Sequence, residues 1–66
     1  MSVARITEIS ATSEKSFEDA VQKGIQRATA TLRNVRSAWI KEQEVEVDGD
    51  RITAYKVIMK ITFVLE

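Results

Sequence analysis

From Arg51 to Glu66 the chain reads RITAYKVIMKITFVLE, with apolar side chains at every second position. Tyr55, Val57, Met59, Ile61, Phe63 and Leu65 form one row, which the β-branched Thr53 begins. Ala54, Lys56, Ile58, Lys60, Thr62 and Val64 form the other, of mixed character. A period of two places alternate side chains on one face of a strand, so the first row is expected to face a core and the second solvent or a partner. No Pro or Gly interrupts the run, and its Ile, Thr, Tyr, Val and Phe suit a pleated surface. A long strand, the spine of a sheet, is expected here.

The chain has 66 residues, which allows one small domain spanning 1–66. A single core of this size rarely supplies more than about 3–5 kcal/mol, and disulfides, a metal or oligomerisation usually add to it. The sequence has no Cys and no His. Disulfides, thiolate or imidazole zinc sites and Cys nucleophiles are therefore excluded, and self-assembly is the expected remedy, the alternative being a core idealised enough to stand alone. Ten basic residues balance ten acidic ones, so no long-range field gathers nucleic acid or an anionic membrane. No apolar run approaches the roughly 20 residues of a membrane span. The opening MSVARITEIS lacks the apolar centre of a signal peptide, and a cytoplasmic location is expected. Ser10, Ser13, Ser16 and Ser37 show no base partner and no Gly-rich phosphate loop is present, so the chain reads as a non-enzyme.

Val3 to Ser10 mixes β-branched and polar residues and reads as a first strand, ended by the small-residue stretch Ala11-Thr12-Ser13. Ser13 is the expected N-cap of a following helix, with Ser16 as the competitor, and Glu14, Glu18 and Asp19 suit the positive end of its dipole. Phe17, Val21, Ile25, Ala28 and Leu32 then mark an apolar stripe at helical spacing, flanked by Ala20, Gly24 and Thr31. Basic residues gather toward its C-terminal half. Gly24 costs about 1 kcal/mol relative to Ala inside a helix, which a close backbone approach to the sheet would explain.

A second strand is expected from Arg36 to Val47, with a change of phase. Ala38 and Ile40 occupy even positions whereas Val45 and Val47 occupy odd ones, and a β-bulge between Lys41 and Glu44 would reconcile them. Asp48-Gly49-Asp50 supplies a tight hairpin turn, with Gly49 at positive φ. The order is β-α-β-β. The helix returns the chain to the end where the first strand began, so strands one and two run in the same direction and strand three opposes both. The expected fold is α+β: a three-stranded antiparallel sheet, order 1-3-2, curled around one helix. A single helix covers only one sheet face, and Ile52, Ala54, Ile58 and Val64 on the other favour neighbouring subunits.

Trp39 is the only Trp, and its phase places it opposite the helix-facing residues. Its indole offers a large apolar surface for stacking a planar ligand, or a buried subunit anchor with no ligand at all. Lys41, Gln43, Lys56 and Lys60 are its candidate polar neighbours, and equally what a solvated strand face contains. Glu42, Glu44, Glu46, Asp48 and Asp50 form an alternating acidic comb. Of these, Glu44, Glu46, Asp48 and Asp50 are candidate oxygen ligands for a hard cation such as Ca²⁺. The comb lacks the EF-hand spacing, and its alternative role is a charged edge that discourages strand addition.

The opening VARITEISATSEKSFEDAV, the stretch TLRNVRSAW, the hairpin VDGDRITAYKV and the close KITFVLE resemble the dodecins over essentially the whole chain. The resemblance implies a hollow, roughly spherical homododecamer. It also implies a flavin such as FMN or riboflavin, sequestered without turnover, with its ring held against a Trp near the start of strand two and its polar edge hydrogen-bonded by a Gln on strand three. Carried onto this sequence, the Trp position is Ser37 and the Gln position is Lys56. Ser37 has no aromatic face, and Lys56 donates hydrogen bonds without accepting them. A basic residue that contacts phosphate-bearing ligands in some members corresponds to Val64. The wording VRSAWIKEQEVEVDGDRIT is similar to that of the members described as binding calcium in place of flavin.

Three functions follow as expectations. The first is a non-catalytic storage or buffering dodecamer with its flavin site altered or lost, its partners being itself and a small ligand or divalent cation. The second is a flavin-sequestering dodecin in which Trp39, about 7 Å along the strand from Ser37, takes over stacking. The third is a structural or protein-interaction module.

Overall fold

The computed structural model describes residues 2–65. Four elements follow one another: β1 (Val3–Ser13), α1 (Phe17–Thr31), β2 (Val35–Asp48) and β3 (Arg51–Leu65). The strands form one sheet in the order β1-β3-β2, with β3 antiparallel to both neighbours. This is the expected β-α-β-β arrangement around a single helix. Glu66, which closes the F-x-L-E wording, lies outside the described residues.

The alternation in β3 sets the sheet's two faces. Val57, Met59 and Ile61 are fully buried against α1. Tyr55 meets Phe17 edge-on, with ring centroids 5.2 Å apart. The helix differs from its expected stripe. Its buried line is Ala20, Gly24 and Ala28, at spacings of four, with Phe17, Val21 and Ile25 half-buried beside it. Small residues occupy the line of contact because the helix lies close to the sheet. A Cβ on Gly24 would collide with Met59 Cε and crowd Ala11 Cβ at 3.2 Å. The close approach expected at Gly24 is therefore present.

Three local readings change. β1 runs on through Ala11-Thr12-Ser13 instead of turning there, because Ser13 still pairs with Tyr55 across the sheet. The N-cap is Ser16, whose hydroxyl accepts the Asp19 backbone N–H at 2.9 Å. Ser13 serves as a clamp instead: its hydroxyl donates to Asp19 Oδ2 at 2.5 Å and accepts the Lys15 N–H at 2.9 Å. At the other end α1 stops at Thr31, so its last turn holds no basic residue and Leu32 is the C-cap, its N–H bonded to Ala28 O at 2.8 Å.

Asn34, at φ 60°, carries the chain from the helix into β2. Asn tolerates the left-handed region better than most residues. Its carbonyl accepts the Val64 N–H at 3.0 Å, tying the connection to the sheet. Gly49, at φ 68°, makes the hairpin turn as its position predicts.

β2 contains the expected bulge, at the start of its predicted window. Ile40 pairs with Met59 and Glu42 with Ile58, leaving Lys41 as the extra residue. Further shifts fall between Val35 and Ser37 and between Glu46 and Val47. The last of these separates Val45 from Val47: Val45 pairs with Tyr55, but Val47 pairs with Ile52 beyond the end of α1 and stays 60% exposed. A single bulge therefore accounts for Val45 and not for Val47.

Candidate functional site

The face of the sheet turned away from α1 is built from even-numbered residues of β1 and β3, in cross-strand rows fixed by register. Ile6, Thr62 and Ser37 make one row; Glu8, Lys60 and Trp39 the next; Ser10, Ile58 and Glu42 a third; Thr12, Lys56 and Glu44 a fourth. Apolar and charged side chains share this face. Lys41 Nζ lies 3.4 Å from Glu8 Oε1, and Lys56 Nζ lies 3.7 Å from Glu44 Oε1. Lys60 Nζ stands 5.4 Å from the centroid of the Trp39 ring, a cation–π contact.

Trp39 is on the outer face, as its phase requires, and 63% exposed. Its ring is flanked by a cation and is mostly uncovered within one chain. Lys41 and Lys60 are its outer-face neighbours. Gln43 is not. The Lys41 bulge exchanges odd and even phases, so Gln43 pairs with Val57 on the helix side. Sequence parity carried past a bulge assigns such a residue to the wrong face.

Ser37 and Lys56 share the outer face but lie far apart within one chain. Ser37 stands opposite Thr62, six positions from Lys56 along β3, or about 20 Å at ~3.3 Å per residue. A ligand touching both positions would have to draw them from different copies of the chain. Lys56 instead lines a cleft of about 290 Å³ with Glu42, Gln43, Glu44 and Ile58. Its ammonium lies 3.7 Å from Glu44 Oε1, so a cation and a carboxylate face each other across this cleft.

Three teeth of the acidic comb share the outer face through their partners: Glu42 with Ile58, Glu44 with Lys56 and Glu46 with Ala54. Beyond Glu46 the register shifts, Asp48 pairs with Arg51, and Asp50 falls in the turn. Among the described residues no three carboxylates converge within one chain. Glu44, Glu46, Asp48 and Asp50 thus present donors along a line, not around a point. Lys60, one of the polar neighbours expected for Trp39, pairs with it across the sheet; what sequence reading missed is that its ammonium stands over the ring. Among the described residues no helix is long and apolar enough to cross a membrane.

The dodecin family model matches residues 3–66. The calcium dodecin of Mycobacterium tuberculosis is 32% identical over 63 residues, spanning 96% of this chain and 89% of that protein. A dodecin from Streptomyces davaonensis superposes with a TM-score of 0.92 at 31% identity, over 98% of this chain and 96% of that one. The crystal structure of the M. tuberculosis calcium dodecin, described as a calcium-chelating antigen with a novel calcium-binding site, gives a TM-score of 0.83 at 30% identity. It covers 98% of this chain and 93% of that one.

Proposed function

The chain belongs to the dodecin family, and from that premise we propose that it is a non-catalytic binding protein. In this reading twelve copies form a hollow shell that stores or buffers a small ligand or a divalent cation in the cytoplasm. The observation that carries the reading is the outer sheet face. It sets Ile58 and Trp39 among ion pairs and has no covering layer in one chain, a composition suited to a surface closed by its own copies.

The flavin site is altered in this reading. Ser37 offers nothing to stack on, and the Lys56 ammonium is paired with Glu44. Carboxylates of the comb, brought together from several copies, suit Ca²⁺, which takes six to eight oxygen ligands in flexible geometry. The M. tuberculosis relative supports a cation as ligand. A second reading keeps flavin, with Trp39 as the stacking ring. Its 63% exposure favours that reading, and the Lys60 ammonium beside the ring would then meet the flavin's polar edge.

The test is the mass in solution of protein purified without added ligand, with its visible absorbance and metal content, followed by calcium titration with magnesium as control. A colourless particle of twelve chains that takes up calcium in preference to magnesium is the expected result. Flavin absorbance lost on Trp39→Ala would establish the second reading. A single-chain mass would overturn both.

A further inference from the structure

Beyond Tyr55 the sheet is only two strands wide. β1 ends at Ser13, opposite Tyr55, and α1 begins against the same ring. Residues 46–53 therefore extend as an exposed arm with neither a third strand nor the helix beside them, from a base at the buried Ala54, in a molecule 50 × 19 × 13 Å in extent. Two-stranded hairpins are marginal alone in water. This one also exposes Val47 (60%) and Ile52 (52%), set among Glu46, Asp48 and Asp50. At the other edge of the sheet, α1 and the unpaired side of β1 bound a groove of about 570 Å³. Its walls include Ile9, Ala11, Gly24 and Leu32, and Lys23 and Arg27 stand at its rim. One feature is an apolar tip with three carboxylates and one cation, Arg51, around it; the other is an apolar trough with Lys23 and Arg27 around it.

We infer that the arm of one copy seats in the α1–β1 groove of the next, Val47 and Ile52 entering the trough and the comb carboxylates facing Lys23 and Arg27. The arm is continuous with β2 and β3 and cannot fold back onto its own groove, so the contact is head-to-tail and closes only as a ring of copies. Charge complementarity selects a second copy as the occupant, because the arm stays net acidic with Arg51 counted and the charged side chains lining the groove are Lys23 and Arg27. Lys23 already contacts Asp19 at 3.2 Å, and a neighbour's carboxylate would join that pair. The inference rests on the self-assembling reading and adds the surfaces that assembly joins.

A zero-length carbodiimide cross-link of the native particle, made from mixed isotopically light and heavy chains, tests it. Links from Lys23 to Glu46, Asp48 or Asp50 that join light to heavy chains are expected. The paired variants Lys23→Glu/Arg27→Glu and Glu46→Lys/Asp48→Lys should each lower the assembled fraction at least tenfold. Combining all four substitutions should restore it. An assembled particle with no such link, or one indifferent to both charge reversals, overturns the inference and leaves the storage reading intact. A wild-type chain that stays monomeric overturns both.

Discussion

On one face of β3, Val57, Met59 and Ile61 are wholly buried under α1; on the other, Lys56, Ile58, Lys60 and Thr62 remain partly open. The two rows belong to one backbone and differ only in the parity of their positions. The inner row carries fold information, because each side chain is surrounded and a change in its volume disturbs several neighbours. The outer row carries little of it within a single chain. That leaves it free to differ from relatives of the same fold; Lys56 lies on it, and Ser37 faces the same side from β2 opposite Thr62.

Breaking the inner row should have the largest effect. Met59→Ala removes a fully buried side chain beneath Gly24 and is expected to cost about 2–5 kcal/mol, read as a lowered denaturant midpoint at fixed protein concentration. Gly24→Val approaches the same contact from the helix and should cost about 1–3 kcal/mol through overpacking. Because the obstacle is the mobile end of Met59, pairing it with Met59→Ala should recover part of that loss. Additive losses in the double variant would show that the two residues do not share one space.

The same contrast explains how much was legible in advance. The β3 alternation determines the helix side and, through the middle of the row, the fully buried Val57, Met59 and Ile61, while Thr53 and Leu65 at its ends stay exposed; the sheet order follows from the hairpin and the helical return. The bulge was legible too, since Ala38/Ile40 and Val45 demand it. The faces of Gln43 and Val47 were not. Each depends on a register shift whose location is set by pairing with β3, and nothing local to β2 encodes it. Ser13 and Ser16 were equally good caps by composition. What separates them is tertiary: Ser13 is held in the sheet opposite Tyr55. The site was less legible still, because Ser37 and Lys56 share a face but stand six positions apart along β3 within one chain.

Asp19 sharpens the comparison where strand and helix join. The Ser13 hydroxyl chiefly, and then Lys23, hold its carboxyl below the ordinary carboxylate range. A depressed carboxylate contributes stability that is complete above the ordinary range and is lost as pH falls through its lowered pKa. Asp19→Asn should therefore be less stable than the parent at neutral pH. The gap should close in acid, as the parent loses the same contribution. Denaturant midpoints across the acid range measure this, and a gap constant with pH would assign the loss to shape instead of charge.

The smallest effect is expected on the outer face, in the strands that flank β3's outer row. Lys41 and Glu8 form an ion pair at 3.4 Å whose side chains are 40% and 47% exposed, and such pairs contribute about 0–1 kcal/mol. Lys41→Ala should accordingly leave the fold's stability almost unchanged. Its position predicts something else. Lys41 is the bulge residue that shifts β2 from one phase to the other, and its side chain reaches across β3 to β1 beside the Lys60–Trp39 contact. If the outer face is closed by neighbouring copies, losing this cation alters a surface that repeats in every copy. A change invisible in the melting of the subunit should then appear as a shifted salt dependence of assembly, measured by solution mass across ionic strength. An unchanged salt dependence would mean that the pair faces solvent in the particle as it does in the single chain.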